Sequence, residues 1–428
     1  MEANSPVVTT VDCDRWTSRK PVVDSVTTQE QHGVEERCLR LYTQHMRPGS
    51  SAIMREGVTL ERAKHVAYLR NGLRELSSGY QALDASRPWL CYWILHALDL
   101  LGDRLEPELA SSVVAFLRSC QDPEGGYCGG PYPGQLPHLA PTYAAINALV
   151  IIGTREAYES IDRKALHRFL LRRRGSEPGS YTMHDDGEVD VRGAYTAVAV
   201  ANLTNVLSKE VASGVAEWIA SCQTYEGGLG GEPGLEAHGG YTFCGVAALS
   251  ILGRADVVRQ RPLLRWLASC QKGLEGGFHG RTNKLVDGCY SFWQGGALAV
   301  LGGDPSGALA VPSGPEGSLL ADMVAADGAW LFDQSALQDY LMVCGQVSRG
   351  GMRDKPGKEA DFYHTCYCLS GMAVAQHSSP GQGGDESRVH SPYGTEALLP
   401  RVDTRHNIRA EMVDQARAFF EAQGSLAE

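Results

Sequence analysis

From Leu60 to the C-terminus the chain alternates two kinds of helix-forming segment, one pair about every 50 residues. One kind is apolar around most of its circumference: Pro88 to Gly102, Pro141 to Gly153, Gly193 to Leu207, Gly240 to Gly253, Cys289 to Gly303 and Tyr363 to Gln376. The other carries a single apolar stripe: Pro107 to Gln121, Ser160 to Arg173, Lys209 to Gln223, Ala255 to Gln271, Gln334 to Gln346 and Arg409 to Gln423. A helix apolar on every side must be buried, and one with a single stripe lies outside. Six such pairs predict an all-α fold in which helical hairpins close into an α/α toroid, a barrel that leaves no terminal repeat to cap. An open solenoid is the competing architecture.

Gly-rich turns join outer to inner members at Glu124-Gly-Gly126, Pro178-Gly-Ser180, Glu226-Gly-Gly228, Glu275-Gly-Gly277 and Arg349-Gly-Gly351. Every inner helix then begins at the same end, so the residues just before the inner helices converge on one mouth. Helix N-termini there favour an anionic ligand. Residues 1–55 lack a sustained period and are expected to form a loosely ordered arm, with residues 56–428 as one domain. The Gly/Pro/Ser-rich stretches near 303–330 and 378–396 read as insertions.

A formal charge of −11 argues against a nucleic-acid surface. No apolar run approaches the roughly 20 residues of a membrane span, and Met1 to Lys20 has no signal-type apolar core, so a cytoplasmic protein is expected. Twelve cysteines in such a chain are not a disulfide framework. Those of Ser119-Cys120-Gln121, Ser221-Cys222-Gln223, Ser269-Cys270-Gln271 and Cys344-Gly345-Gln346 recur at one place in the repeat and read as core packing.

The chemistry concentrates in Arg281 to Gly296 (RTNKLVDGCYSFWQGG). Asp287 and Cys289 are metal-capable, and His364, at the head of another inner helix, can join them across the mouth; O, S and N ligands in that number suit a zinc with an open fourth position. The alternative is a helix-capping Asp beside a core Cys and a satisfied His. His238, Arg281, Lys284 and Tyr290, with Lys358 near, can hold a diphosphate, or else form a solvated basic rim. Asp354 and Asp361 can hold Mg²⁺ against a phosphate or cap their helices. Trp89, Trp93, Tyr143, Tyr195, Tyr241, Phe243, Trp293 and Tyr367 can enclose an apolar pocket or simply pack. Asp185-Asp186-Gly-Glu-Val-Asp190 does not have the spacing of a terpene-synthase acid motif and reads as a turn.

His238-GGYTFCG, Arg281-TNKLVDGCYSFWQ, Asp354-KPGK, Asp361-FYHTCYCLSG and Leu83-DASRPWLCYW93 together closely resemble the β subunits of protein farnesyltransferases, from about Leu60 to Gln376. The resemblance implies transfer of a farnesyl group from farnesyl diphosphate to the cysteine of a C-terminal CaaX motif, as on Ras-type GTPases, by an obligate heterodimer with an α subunit. It implies zinc on Asp287, Cys289 and His364, and a diphosphate held by His238, Arg281, Lys284 and Tyr290, of which Lys284 and Tyr290 also assist catalysis. Asp354 would position Mg²⁺, with Lys358 nearby. Arg192, Tyr195, Tyr241, Cys244 and Trp293 would line the isoprenoid channel, and Ser86, Trp89, Trp93, Ala140, Pro141 and Tyr363 would contact the CaaX tail. The bulky pair Trp89 and Tyr367, together with Asp354, favours a farnesyl donor over the geranylgeranyl donor of the type I relatives, which are the alternative. A helical-repeat scaffold whose Cys and His only pack the core is the non-enzymatic alternative. Departures from the family pattern fall in the arm and the two insertions.

Overall fold

The computed structural model describes residues 24–46, 53–302, 331–377 and 389–424; the 303–330 insertion and residues 378–388 of the second lie outside them. Helix α1 (Val26–Thr43) is followed by six hairpins: α2 (Arg62–Arg74) with α3 (Arg87–Leu100), α4 (Pro107–Ser119) with α5 (Leu139–Ile152), α6 (Arg163–Arg172) with α7 (Val191–Leu203), α8 (Val215–Ser221) with α9 (Gly239–Ile251), α10 (Gln260–Ser269) with α11 (Tyr290–Leu301), and α12 (Gln334–Asp339, continued by a π-helical turn Tyr340–Gly345) with α13 (Phe362–His377). A last helix is α14 (Ala410–Ala422).

The second members of the hairpins pack in a circuit, α3 on α5, α5 on α7, α7 on α9, α9 on α11, α11 on α13 and α13 back on α3. The fold is therefore a closed α/α toroid, not an open solenoid. Inner helices such as α5 are buried along nearly their whole length, as their apolar composition requires.

A Ser-Cys-Gln motif, loosened to Cys-Gly-Gln in the last hairpin, closes four of the junctions, and Arg174 takes the glutamine's place in the third hairpin. Cys120, Cys222, Cys270 and Cys344 are all buried, and the following glutamine turns its carboxamide onto main chain at the start of the next outer helix. Gln223 donates to Arg259 O at 2.9 Å and accepts from Arg259 N at 2.9 Å; Gln271 pairs in the same way with Asp333 at 2.8 and 2.9 Å. Gln346 donates to Thr59 O (3.1 Å) and accepts from Glu61 N (2.9 Å), which joins the end of the ring to its beginning.

That last junction corrects the expected pairing of outer helices. The outer partner of α3 is α2, whereas α14 lies against α5 and α7. The α2 stripe is hard to read in sequence because a buried histidine interrupts it: His65 Nδ1 accepts from Gly351 N, and its Nε2 bonds Gln346 Oε1. The expectation of a loose arm over residues 1–55 is likewise corrected within its second half. Helix α1 is docked through Val34, Cys38 and Tyr42, an apolar residue only every fourth position in a polar background.

Opposite the mouth, a short antiparallel hairpin, β1 (Val402–Asp403) with β2 (Ile408–Arg409), plugs the ring. Its turn is held by Asp403, which accepts from Arg405 N, His406 N and both of their side chains. Burial opposes the charge of Asp403, but His406 and Arg405 outweigh it and keep the carboxyl well below the usual range.

The turn glycines set the approach of neighbouring hairpins. A Cβ on Gly227 (φ +116°) would stand 2.2 Å from Pro262 O on α10. Gly227→Ala is expected to cost more than about 2 kcal/mol, whereas Gly253→Ala, at φ +64° in open space, should cost about 1 kcal/mol. Urea unfolding midpoints of the two variants compare a clash with a purely conformational penalty.

Candidate active site at the mouth of the ring

Asp287, Cys289 and His364 meet at the heads of α11 and α13, with one ligand atom from each lying within 4.8 Å of the others. Local hydrogen bonds fix the arrangement. Asp287 Oδ1 accepts from Cys289 N at 2.9 Å, which ties the carboxylate to the start of α11. Asp361 does the same for α13, accepting from His364 N at 2.7 Å, and its second oxygen takes His364 Nδ1 at 2.7 Å. The ring of His364 is thereby turned so that Nε2 faces Asp287 Oδ1 at 3.2 Å. An acid that both caps the helix and orients a ligating histidine is the usual support of a metal site.

Electrostatics agree. Burial alone would push His364 down, but Asp287 and Asp361 outweigh it and raise it to about 10. The thiol of Cys289 is pushed well up by burial and by the charge of Asp287. A divalent cation would relieve both groups by taking the places of their protons. The donor set of one carboxylate, one thiol and one imidazole, all buried or half-buried, fits zinc.

At the head of the neighbouring inner helix, His238 Nδ1 accepts from Gly240 N at 3.0 Å, capping α9. Burial and the nearby Arg281 lower its pKa to about 4. In the neutral tautomer set by that cap, Nε2 carries the proton, and it sits 3.1 Å from Tyr290 Oη. Arg281 and Lys284 flank Asn283, whose left-handed φ of 61° turns the loop. Arg281 pairs with Glu236 at 3.2 Å, and Lys284 is exposed. Asp354 forms an ion pair with the buried Lys355; its carboxyl is raised by burial and by the charge of Asp287. Its main-chain oxygen takes Gly288 N and the Tyr340 hydroxyl. Lys358 is exposed on the same turn.

Below the mouth lies a closed circuit of aromatic rings to which all six inner helices contribute. Successive centroids are Trp89–Trp93 5.6 Å, Trp93–Tyr363 5.4 Å, Tyr363–Tyr367 4.8 Å, Tyr367–Trp293 4.4 Å, Trp293–Phe243 5.3 Å, Phe243–Tyr195 5.6 Å, Tyr195–Tyr143 5.4 Å and Tyr143–Trp89 5.8 Å. Trp293 Nε1 donates to Tyr363 Oη at 3.2 Å, beside the Asp287 group. On the wall of this well Arg192 is pinned by Asp190 and lies over the Tyr241 ring at 5.8 Å, near the buried Cys244. Ser86 stands just before α3, and Ala140 and Pro141 form the first turn of α5.

A prenyltransferase alpha-alpha toroid model matches residues 60–408. The protein farnesyltransferase subunit beta of Arabidopsis thaliana is 42% identical over 92% of this chain and 90% of its own length, and that of Pisum sativum 43% over 78% and 89%. The chain belongs to the protein farnesyltransferase β-subunit family. The geranylgeranyl transferase type-1 subunit beta of Arabidopsis thaliana is farther away, at 30% over 74% of this chain and 85% of its own. Among solved structures, the Candida albicans protein geranylgeranyltransferase-I complexed with GGPP superposes with a TM-score of 0.65 at 20% identity, covering 84% of this chain and 98% of that one. Among the described residues no helix is long and apolar enough to cross a membrane.

Within this farnesyltransferase-family site, two features escaped sequence reasoning. Asp361, read as a possible Mg²⁺ ligand or cap, is the group that aims His364. His138, His184 and Glu188 also cluster within 4.8 Å; the signal was that His138 precedes α5 as His238 precedes α9. Because His138 Nδ1 accepts from Ala140 N at 3.0 Å, its Nε2 is the protonated nitrogen, an arrangement for holding an acceptor and not a cation. Asp185 and Asp186 do form a turn, with Asp185 on Arg173 and Asp186 at φ 55°.

Two outcomes follow for the metal-free site. Since His364 and Cys289 both hold protons at pH 7, zinc should displace roughly two protons per ion, falling toward one as pH passes the raised His364 value near 10; titration calorimetry in buffers of different ionisation enthalpy measures this. Asp361→Asn should weaken zinc by roughly 10- to 100-fold, read by competition with a chelator.

Proposed function

We propose that the chain is the catalytic subunit of a heterodimeric protein farnesyltransferase, which moves a farnesyl group from farnesyl diphosphate to the cysteine of a CaaX C-terminus, with an α subunit as partner. The C1–O bond of the diphosphate breaks, a thioether forms between C1 and sulfur, and the thiol proton and diphosphate leave. The observation that carries this reading is the juxtaposition, at the head of α11, of the Asp287–Cys289–His364 group with the His238–Tyr290 pair above one aromatic well.

Asp287, Cys289 and His364 would hold zinc, which when bound lowers the pKa of an incoming thiol so that it reacts as thiolate. His238 Nε2–H and the Tyr290 hydroxyl supply neutral donors, and Arg281 and Lys284 positive charge, to the leaving diphosphate, whose charge grows as C1–O breaks. Burial and the adjacent Cys289 raise Tyr290, so its hydroxyl remains a donor at physiological pH. Asp354 would take Mg²⁺ at the diphosphate if its pairing with Lys355 is exchanged for the ion. The aromatic circuit would hold the isoprenoid, with Ser86, Ala140, Pro141, Trp93 and Tyr363 against the peptide tail.

Farnesyl is preferred to geranylgeranyl because Trp89 and Tyr367 occupy the circuit as large rings, each braced by its neighbours, Trp89 by Trp93 and Tyr143 and the buried Tyr367 by Trp293 and Tyr363. Overlap rejects one more isoprene more sharply than a missing contact would. The purified heterodimer is expected to favour the C15 over the C20 diphosphate in kcat/KM; preference for C20 overturns the assignment. Trp89→Ala should raise the C20:C15 ratio by about tenfold or more, measured with the same two donors and one CaaX peptide.

A further inference from the structure

Beneath the aromatic circuit the apolar well ends on polar ground. Tyr92, Tyr143 and Tyr195 donate their hydroxyls downward to the plug, to Asn407 O (2.9 Å), His406 O (2.8 Å) and Arg405 O (2.9 Å). One turn farther along α3 and α5 stand His96 and Asn147, both fully buried. His96 stacks on Tyr92 at 5.8 Å and 8°, and its Nε2 bonds Ser370 Oγ and Asn407 Oδ1, each at 3.1 Å. Burial lowers its pKa to about 3, so the ring is neutral and Nδ1 is a bare acceptor.

Five buried polar atoms of this floor lack a protein partner: His96 Nδ1, both side-chain atoms of Asn147, His406 Nε2 and Asn407 Nδ2. Asn147 lies beside the Tyr143 hydroxyl, which donates to His406 O, but its carboxamide atoms do not reach hydrogen-bond geometry with it. Buried polar atoms of this kind are satisfied by ordered water, and stripping the water off is costly. The set mixes donors and acceptors, which suits water and does not suit an ion of either sign.

Resting on the farnesyl reading above, we propose that this hydrated floor, centred on Asn147 and His96, is a second determinant of prenyl length, acting through desolvation where Trp89 and Tyr367 act through bulk. A chain that passes the circuit would reach groups it can cover only by stripping them of water, and hydrocarbon returns no hydrogen bond. Asn147 and His96 are thus specificity residues that a chain of permitted length does not touch.

The test uses the full heterodimer with farnesyl and geranylgeranyl diphosphates as probes. Trp89→Ala first opens the way, so that the floor is reached. Adding Asn147→Leu, close in size and without polar atoms, is expected to raise the C20:C15 ratio of kcat/KM by about a further tenfold over Trp89→Ala alone, with C15 turnover no lower than in Trp89→Ala itself. His96→Phe, which keeps the stack on Tyr92, carries the same expectation should the first variant not fold. An unchanged ratio in a folded double variant overturns the floor proposal. Absence of C15 turnover in the unaltered heterodimer would instead overturn the functional reading itself, so the two failures are told apart.

Discussion

Ring-to-ring contact among eight aromatic side chains, drawn from all six inner helices, is the interaction on which the site depends. Each ring is braced by two neighbours at 4.4 to 5.8 Å, and offset or edge contacts of this sort add about 0.5 to 1.5 kcal/mol per pair beyond burial. The circuit can exist only if the toroid closes, because Trp89 and Trp93 come from the first inner helix while Tyr363 and Tyr367 come from the last. It separates two environments: above it, helix heads rich in charge; below it, a plug of main-chain carbonyls and buried amides. On the proposed reading, an apolar chain entering from the charged side would be held between them.

The charged side gains its character from competition between burial and pairing. His364 and His238 are both largely covered, yet they are driven in opposite directions. Two carboxylates raise the first, while the second, near Arg281, is driven down by desolvation. One mouth therefore contains an imidazole held in its protonated form by two carboxylates and another that stays neutral with a fixed tautomer. Neither state is a property of histidine alone; both follow from which capping group the helix head supplies.

Much of the fold was legible because its signal is repeated. Alternating all-apolar and striped helices gave the toroid, and the Asp287, Cys289 and His364 group was visible because two of its members lie two positions apart in sequence and the third heads the next inner helix. What escaped notice was encoded in polar contacts. Helix α2 hides behind His65, whose burial is made tolerable by Gln346 and Gly351; α1 shows only Val34, Cys38 and Tyr42. Asp361 as the support of His364, and the pairing of Asp354 with Lys355, depend on side-chain directions that no periodicity reports. The plug was hard to foresee, since three tyrosines of the ring meet it at backbone oxygens, which every sequence possesses, and its side-chain contacts, His96 with Asn407 and Asp99 with Arg409, join residues more than 300 positions apart.

The carboxamide of Gln346 grips Thr59 and Glu61 as Gln223 grips Arg259 and Gln271 grips Asp333. The junction between the last hairpin and the first is thus chemically the same as junctions the polypeptide crosses covalently. A ring built in this way has no privileged starting point. Seam and covalent junction are then equivalent in what they ask of the chain: one carboxamide, placed to meet the main chain entering the next outer helix.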